Sequence, residues 1–362
     1  MNQKELSQID QALASTLKST ELSQLNQALA STLRSIELNP NNPTAHMNLG
    51  GIYKELWQFD KAIASMRKSL ELKPDNADAH MNLGEIYKDL SDYTNAEKEA
   101  ELAIKGNASK LDICKRLKAA CLFQKQEYDE AIESLRRLKA ETIHTEESSW
   151  ETEIALRSTI YAKNHKSLKT QRPEAAADTK EGEDTKSLVI KRSRPVEKNL
   201  TKELHEIDSE GLMKTRDGRY GDGYCTNFHL FYSKSPAVQQ LCTDLTSIAS
   251  ESLAMDVLSI KHDSFFNIFN NGAGTAPHSH IGDFDIDFER WKHKYTLVYY
   301  LDPGDQDGEH PGILKMHHPD VQILPEKGMI IITPASRVHS SYYEGAKSRL
   351  MVGVNFYAFS GN

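Results

Sequence analysis

The chain has 362 residues, 38% of them hydrophobic and 27% charged, with a formal net charge of −8. That length allows two domains, each large enough to bury a core. The negative balance excludes broad nucleic-acid binding by phosphate neutralisation, and no apolar run reaches the roughly 18 residues of a membrane span. Four scattered cysteines (Cys114, Cys121, Cys225, Cys242) make neither a disulfide framework nor a thiolate zinc site. They are expected as free thiols of a reducing cytoplasm. The opening Met1-Asn2-Gln3-Lys4-Glu5 lacks the apolar stretch of a secretory signal.

The N-terminal edge carries two near copies, LSQIDQALASTLKSTE (6–21) and LSQLNQALASTLRSIE (22–37), at a spacing of 16. That is about one helix and its turn, and it reads as a duplicated helix capping an array, or else as a helical extension. Next, HMNLGGIY (46–53) recurs as HMNLGEIY (80–87), a period of 34. Phe59-Asp60-Lys61-Ala62 and Tyr93-Thr94-Asn95-Ala96 keep the same spacing, as do Leu38-Asn39-Pro40 and Leu72-Lys73-Pro74. Small residues fall at Gly50, Ala62, Gly84 and Ala96, where two helices must approach closely. Period and pattern resemble the tetratricopeptide repeat. Ala28 sits one period before Ala62, so residues 22–38 read as the second helix of an earlier unit. Tyr128-Asp129-Glu130-Ala131-Ile132 echoes Phe59 to Ile63 with one residue inserted, giving a degenerate further unit. The resemblance implies an all-α solenoid over residues 1–162 whose concave surface binds a protein or peptide. The alternatives are a rigid spacer or a dimerisation surface. Asn48 and Asn82, equivalent in successive repeats, are the candidates for bonding a bound peptide's main chain.

From about residue 163 the pattern dissolves into the polar, charge-rich stretch NHKSLKTQRPEAAADTKEGEDTK (164–186), which predicts a flexible linker over 163–199. The basic run Lys191-Arg192-Ser193-Arg194 reads as a solvated segment end. Beyond residue 200 the texture turns to β. Strands are predicted around 265–269, 296–300, 329–333 and 350–356, with one helix from Ala237 to about Ser252. Many short strands between turn formers predict a sandwich or barrel over 200–362. The fold class expected is therefore multidomain α + β.

One segment concentrates chemistry. His278 and His280 flank Ser279, and residues two apart on a strand share a face. His339 follows 59 residues after His280, and Arg349 ten residues further on. Facial ligands that leave open positions suit a mononuclear iron(II) oxygenase, and arginine's planar fork suits a carboxylate. A paired ligand motif, a distant histidine and a following arginine resemble the 2-oxoglutarate/Fe(II) dioxygenases of the prolyl-hydroxylase-like branch. Phe269-Asn270-Asn271-Gly272, Gly328-Met329 through Pro334, and Asn355-Phe356 match the surrounding pattern. The resemblance covers 260–362 well and 200–260 loosely. It implies a double-stranded β-helix (jelly-roll) barrel, with His278, His280 and His339 holding Fe(II) and Arg349 holding 2-oxoglutarate. Ascorbate would be a further cofactor. Tyr299 stands where this branch carries a tyrosine that bonds the cosubstrate, and core packing is the other reading.

The usual pair is histidine-x-aspartate or -glutamate, and here the second member is His280. Three arrangements stay open: His280 replaces the carboxylate, Asp283 or Asp285 enters from the following loop, or the site has two protein ligands. His317 and His318, being adjacent, face opposite ways and read as strand-end or substrate-side residues. There is no HExxH zinc motif, Walker loop, nucleophile elbow or dinucleotide fingerprint. The expectation is a hydroxylase acting on a protein or peptide delivered by the repeats. The alternative is a repeat-based adaptor or sensor whose metal-binding barrel has lost efficient catalysis.

Overall fold

The computed structural model describes residues 22–141, 146–171, 188–208, 224–225, 229–258 and 261–360. The chain divides into two compact units, Met1–Lys169 and Thr170–Asn362. The first of the two N-terminal copies, 6–21, lies outside the described residues. None of the described helices is long and apolar enough to cross a membrane.

The regular structure among the described residues of the first unit is helical. Helix α1 spans residues 22–38, as the spacing to Ala62 predicts. Then come α2 (Pro43–Glu55), α3 (Phe59–Leu72), α4 (Ala77–Asp89), α5 (Tyr93–Lys105), α6 (Leu111–Gln124), α7 (Tyr128–Glu141) and α8 (Glu146–Gln171). The repeat is legible down to single bonds. Asn42 and Asn76, one period apart, cap α2 and α4 through their side-chain oxygens. His46 and His80 reach the Pro40 and Pro74 carbonyls at 2.9 and 3.1 Å. Each first helix ends on a left-handed residue, Trp57, Ser91 or Gln126, at φ 58°, 61° and 64°. The next amide closes back to Tyr53, Tyr87 or Leu122, the bonding of a Schellman turn. Gln126 lies one residue past the strict period, which locates the insertion expected in the degenerate unit.

The small residues explain the close helix pairs. A Cβ on Gly50 would stand 3.1 Å from the Ala62 carbonyl oxygen, and one on Gly84 would stand 3.2 Å from that of Ala96. The apolar residues between them, Ala62, Met66, Leu83, Ile86, Ala96 and Ala100, form one buried cluster.

The second unit contains β1 (Ile190–Ser193), α9 (Lys198–Asp208), β2 (Tyr224–Cys225), α10 (Pro236–Leu253), β3 (Asp256–Leu258), β4 (Ser264–Phe269) and β5 (Ala273–His278). After a short α11 (Asp283–Ile286) follow β6 (Lys294–Asp302), β7 (Pro311–Met316), β8 (Val321–Ile323), β9 (Met329–Pro334), β10 (His339–Tyr343) and β11 (Arg349–Phe359). Seven strands form one sheet in the order β1-β9-β6-β11-β4-β2, with β3 also on β11. Four form a second, β5-β10-β7-β8. Every pairing between these named strands is antiparallel. The architecture is the two-sheet β fold expected, behind an all-α repeat unit.

Strand alternation builds two cores. On the helix side of the larger sheet, Leu297, Tyr299, Ile330, Ile332, Val352, Val354 and Phe356 pack with Leu200 and Leu204 of α9 and Val238, Leu241 and Leu245 of α10. The opposite face carries Tyr300, Ile331, Met351 and Phe269, which pack with Ala273, Leu314, Met316 and Tyr343 of the smaller sheet. The site lies on this inner face.

The linker expectation needs correction at both ends. Helix α8 runs to Gln171, and β1 joins the sheet edge with Ile190 opposite Ile332 and Ser193 opposite Met329. Lys191 and Arg192 are exposed, as a charged edge strand should be. Arg194 is not a solvated segment end. It is buried and bonds Glu197, Asp244 and the Tyr299 hydroxyl. The second unit's sheet therefore begins before residue 200.

Candidate metal centre

Two strands of the smaller sheet create the site. His278 closes β5 and His339 opens β10, and the antiparallel register sets them directly opposite each other. His280 follows β5, where its amide bonds the Ala335 carbonyl at 2.9 Å. That bond turns the ring back toward the other two. One nitrogen of each ring lies within 4.8 Å of its counterparts on the other two, the described His/Cys/Asp/Glu group able to hold a metal ion. Ring centroids are 4.6 to 5.1 Å apart.

The outer nitrogens are already engaged. His278 Nδ1 lies 2.8 Å from the Ala276 carbonyl and His339 Nδ1 lies 3.1 Å from that of Arg337. A carbonyl only accepts, so both rings carry hydrogen on Nδ1 and turn a bare Nε2 inward. His280 Nε2 is 3.3 Å from His339 Nε2. Two nitrogens at right angles, each about 2.1 Å from one ion, stand roughly 3 Å apart, so this pair needs little movement. Burial, aided by the neighbouring imidazoles, lowers His339 to about 4 and holds His280 well below the usual histidine range. Both rings are therefore neutral near pH 7, the form that ligates.

The aspartate alternatives fare differently. Asp285 is buried, and its carboxylate accepts from the Gly282 amide (2.8 Å), Lys294 Nζ (2.9 Å) and the Tyr357 hydroxyl. It stands outside the three-histidine group. Asp283 opens α11, and its side chain lies outside the described residues. Of the candidates with a described side chain, His280 is the one brought to the other two histidines.

Arg349 begins β11 opposite Phe269 and is fully buried. Its guanidinium donates to the carbonyls of Pro303 (3.3 Å), Gly312 (2.7 Å) and Pro311 (3.1 Å), and to Ser341 Oγ (3.3 Å). Ser341 lies two residues beyond His339 on β10, so arginine and metal centre share a face. The cation rests against the rings of Tyr300 and Tyr343, 5.6 and 4.9 Å from their centroids. No carboxylate among the described residues pairs with it. Four bonds use four of its five N–H groups, leaving one on Nη2. A Cβ on Gly312, at φ +76°, would sit 2.3 Å from the guanidinium, so only glycine fits beneath it.

Tyr299 is not beside this site. It points to the helix side of the sheet, where its hydroxyl meets Arg194 Nη1 at 3.3 Å and the Pro195 carbonyl at 3.0 Å. The tyrosine on the arginine's face is Tyr300. His317 is also outside the group: its Nε2 lies 3.0 Å from Ser340 Oγ. Sequence reasoning missed Tyr300 and Ser341, and gave Asn355 no role beyond matching the family ending. Counting alternation from Arg349 and His339 recovers Ser341 and Asn355, because residues an even number apart on one strand share a face.

Comparison with known proteins agrees with the repeat reading. A model for the TPR repeat matches residues 52–91, and a model for the tetratricopeptide repeat matches 77–108. The chain carries tetratricopeptide repeats. No curated protein matches its sequence. Among solved structures, the chain is similar to a prolyl hydroxylase from Trichoplax adhaerens in complex with a hypoxia inducible factor oxygen degradation domain peptide fragment. The identity is 12%, over 47% of this chain and 83% of that one, with a TM-score of 0.37. A Pseudomonas putida prolyl-4-hydroxylase is similar at 16% identity, over 48% and 93%, with a TM-score of 0.36. The first tetratricopeptide domain of Spaghetti (RPAP3), bound to an HSP90 peptide, is similar at 22% identity, over 33% and 91%, with a TM-score of 0.30.

Proposed function

We propose that the chain is a 2-oxoglutarate- and iron(II)-dependent dioxygenase that hydroxylates a protein or peptide recruited by its repeats. The observation that carries this reading is the combination, on one inner face, of three convergent imidazoles with a buried arginine that has no carboxylate partner among the described residues. A buried cation without a counter-ion is costly unless a ligand supplies one, and a dicarboxylic cosubstrate would do so. Imidazole donors suit iron, and three protein ligands leave positions open.

In this reading His278, His280 and His339 hold the metal. Arg349 offers its remaining N–H and its charge to the distal carboxylate of 2-oxoglutarate, with Tyr300 and Tyr343 walling the same spot. Bound iron would activate O2, the oxidant, one oxygen atom of which would go into succinate as 2-oxoglutarate is decarboxylated to succinate and CO2 and the other into the substrate C–H bond, and ascorbate would serve as an auxiliary reductant. Three neutral ligands leave the centre one negative charge poorer than the usual set with a carboxylate. Asn48 is exposed on α2 and Asn82 partly exposed on α4. Neither side chain makes a hydrogen bond to a described residue, so both are available to a peptide main chain. None of the four cysteines is in a disulfide among the described residues, and the reading assigns the chain to a reducing cytoplasm.

The test is spectroscopic. Adding 2-oxoglutarate to iron(II)-loaded, full-length protein under anaerobic conditions is expected to raise a visible metal-to-ligand charge-transfer band. Iron-loaded protein that shows no band at saturating 2-oxoglutarate would remove this cosubstrate from the reading.

A further inference from the structure

Asn355 lies on the inner face of β11 and is buried. Its amide is held on two sides: Nδ2 donates to Asp263 Oδ2 at 2.9 Å, and Oδ1 accepts from Thr296 Oγ1 at 2.8 Å. Its main-chain amide also bonds the Asp263 carbonyl at 2.8 Å. The same Nδ2 faces His280 Nδ1 at 3.4 Å. We propose that Asn355 is a positioning residue of the metal centre: its amide selects the tautomer of His280 and so decides whether that ring offers a lone pair to a metal ion. This inference rests on the metal-centre reading given above.

The proton order follows link by link. The Arg337 carbonyl fixes hydrogen on His339 Nδ1, so His339 Nε2 is bare. His280 Nε2, 3.3 Å away, must then be the donor of that contact. His280 Nδ1 faces the Asn355 Nδ2–H donor at 3.4 Å and therefore accepts, carrying no hydrogen of its own. A bare Nδ1 matches the Nδ2–H that Asn355 presents. Asp263 and Thr296 fix the amide from the far side, so the tautomer is imposed from outside the histidine cluster.

That tautomer does not ligate. To bind a metal through Nε2, His280 must give up its Nε2 hydrogen and carry one on Nδ1, leaving the ring's charge unchanged. The new Nδ1–H would face a donor unless the Asn355 amide turns over and presents its oxygen. The turned oxygen also meets Asp263, whose pKa burial already raises toward the protonated, donating form. Of the three ligands His280 is therefore the conditional one, whereas His278 and His339 are pre-set by carbonyls that cannot turn.

The experiment uses full-length protein labelled with 15N-histidine and follows long-range 1H–15N correlations, which separate the two neutral tautomers. The His280 signals are assigned by their loss in His280→Ala. In metal-free wild type His280 is expected as Nε2–H, and with Zn(II) as a diamagnetic probe it is expected to convert to Nδ1–H. In metal-free Asn355→Ala the fixed Nε2–H form is expected to give way to a mixture, with the His278 and His339 signals unchanged. Asp263→Leu removes the acceptor that orients the amide. It is expected to move metal-free His280 toward Nδ1–H, and it keeps the proposal testable if Asn355→Ala does not fold. Nδ1–H already present in the metal-free wild type would overturn the proposal, as would an unchanged tautomer in a folded Asn355→Ala or Asp263→Leu. Failure of wild type to take up metal would instead count against the metal-centre reading, while the metal-free tautomer still decides the role of Asn355.

Discussion

Replacing His339 by alanine is expected to abolish metal binding, and His278→Ala should do the same. These two rings face each other across the β5–β10 register with Nε2 already bare, so neither loss can be made good by rotating the other. The neighbouring carboxylate best placed in sequence, Asp285, is tied to Lys294, Gly282 and Tyr357 and is not free to substitute. His280→Asp is expected to keep metal, since it restores the pattern with one carboxylate. Elemental analysis after anaerobic loading with Fe(II) or Mn(II) reads all three variants. Unchanged metal content in either alanine variant would contradict the assignment.

The second large effect concerns the cosubstrate. Arg349→Ala is expected to weaken 2-oxoglutarate binding to Mn(II)-loaded protein while leaving the metal in place, because no ligand is touched. With four N–H groups committed to the 303–312 segment and Ser341, one remains for a direct bond. A hydrogen bond to a charged group is worth about 1.5–3 kcal/mol, and about 1.4 kcal/mol is tenfold in affinity. The loss should therefore lie between roughly ten- and a hundredfold by calorimetry. The melting temperature should fall as well, since the guanidinium also ties the Pro303, Pro311 and Gly312 carbonyls together. Arg349→Lys should recover part of the affinity, because a point charge cannot reproduce a fork with five donors. Unchanged affinity in Arg349→Ala would mean that another group holds the cosubstrate.

The sequence revealed most of the repeat unit and the histidines, for a physical reason. A period of 34 writes the same packing constraint at every turn, so Gly50 and Gly84 each meet a partner-helix carbonyl, and the constraint shows as repetition. The His-x-His spacing is likewise a statement about one strand face. Tyr299 shows where such reasoning stops. Strand β6 is buried on both faces, so alternation offers no polar side to say which neighbour faces the site. The register with β11 decides it, by setting Tyr300 on the face of Arg349 and Tyr299 against Arg194. Strand β1 was hidden for a different reason. It has four residues, three of them exposed, and its Lys191 and Arg192 look like linker because an edge strand is protected by charge. His280 over Asp285 was also undecidable from composition. It depends on the bond from the His280 amide to Ala335, far along the chain, and on the Lys294–Asp285 pair that joins α11 to β6.

Succinate formation by full-length protein supplied with Fe(II), 2-oxoglutarate, O2 and ascorbate tests the central claim most directly. The three-histidine centre with Arg349 is expected to release succinate even without its prime substrate, slowly but well above protein lacking iron. His339→Ala should fall to that metal-free background. Protein that binds both iron and 2-oxoglutarate yet releases no succinate above background would contradict the catalytic reading, and would favour a repeat-based adaptor or sensor with a metal-binding barrel.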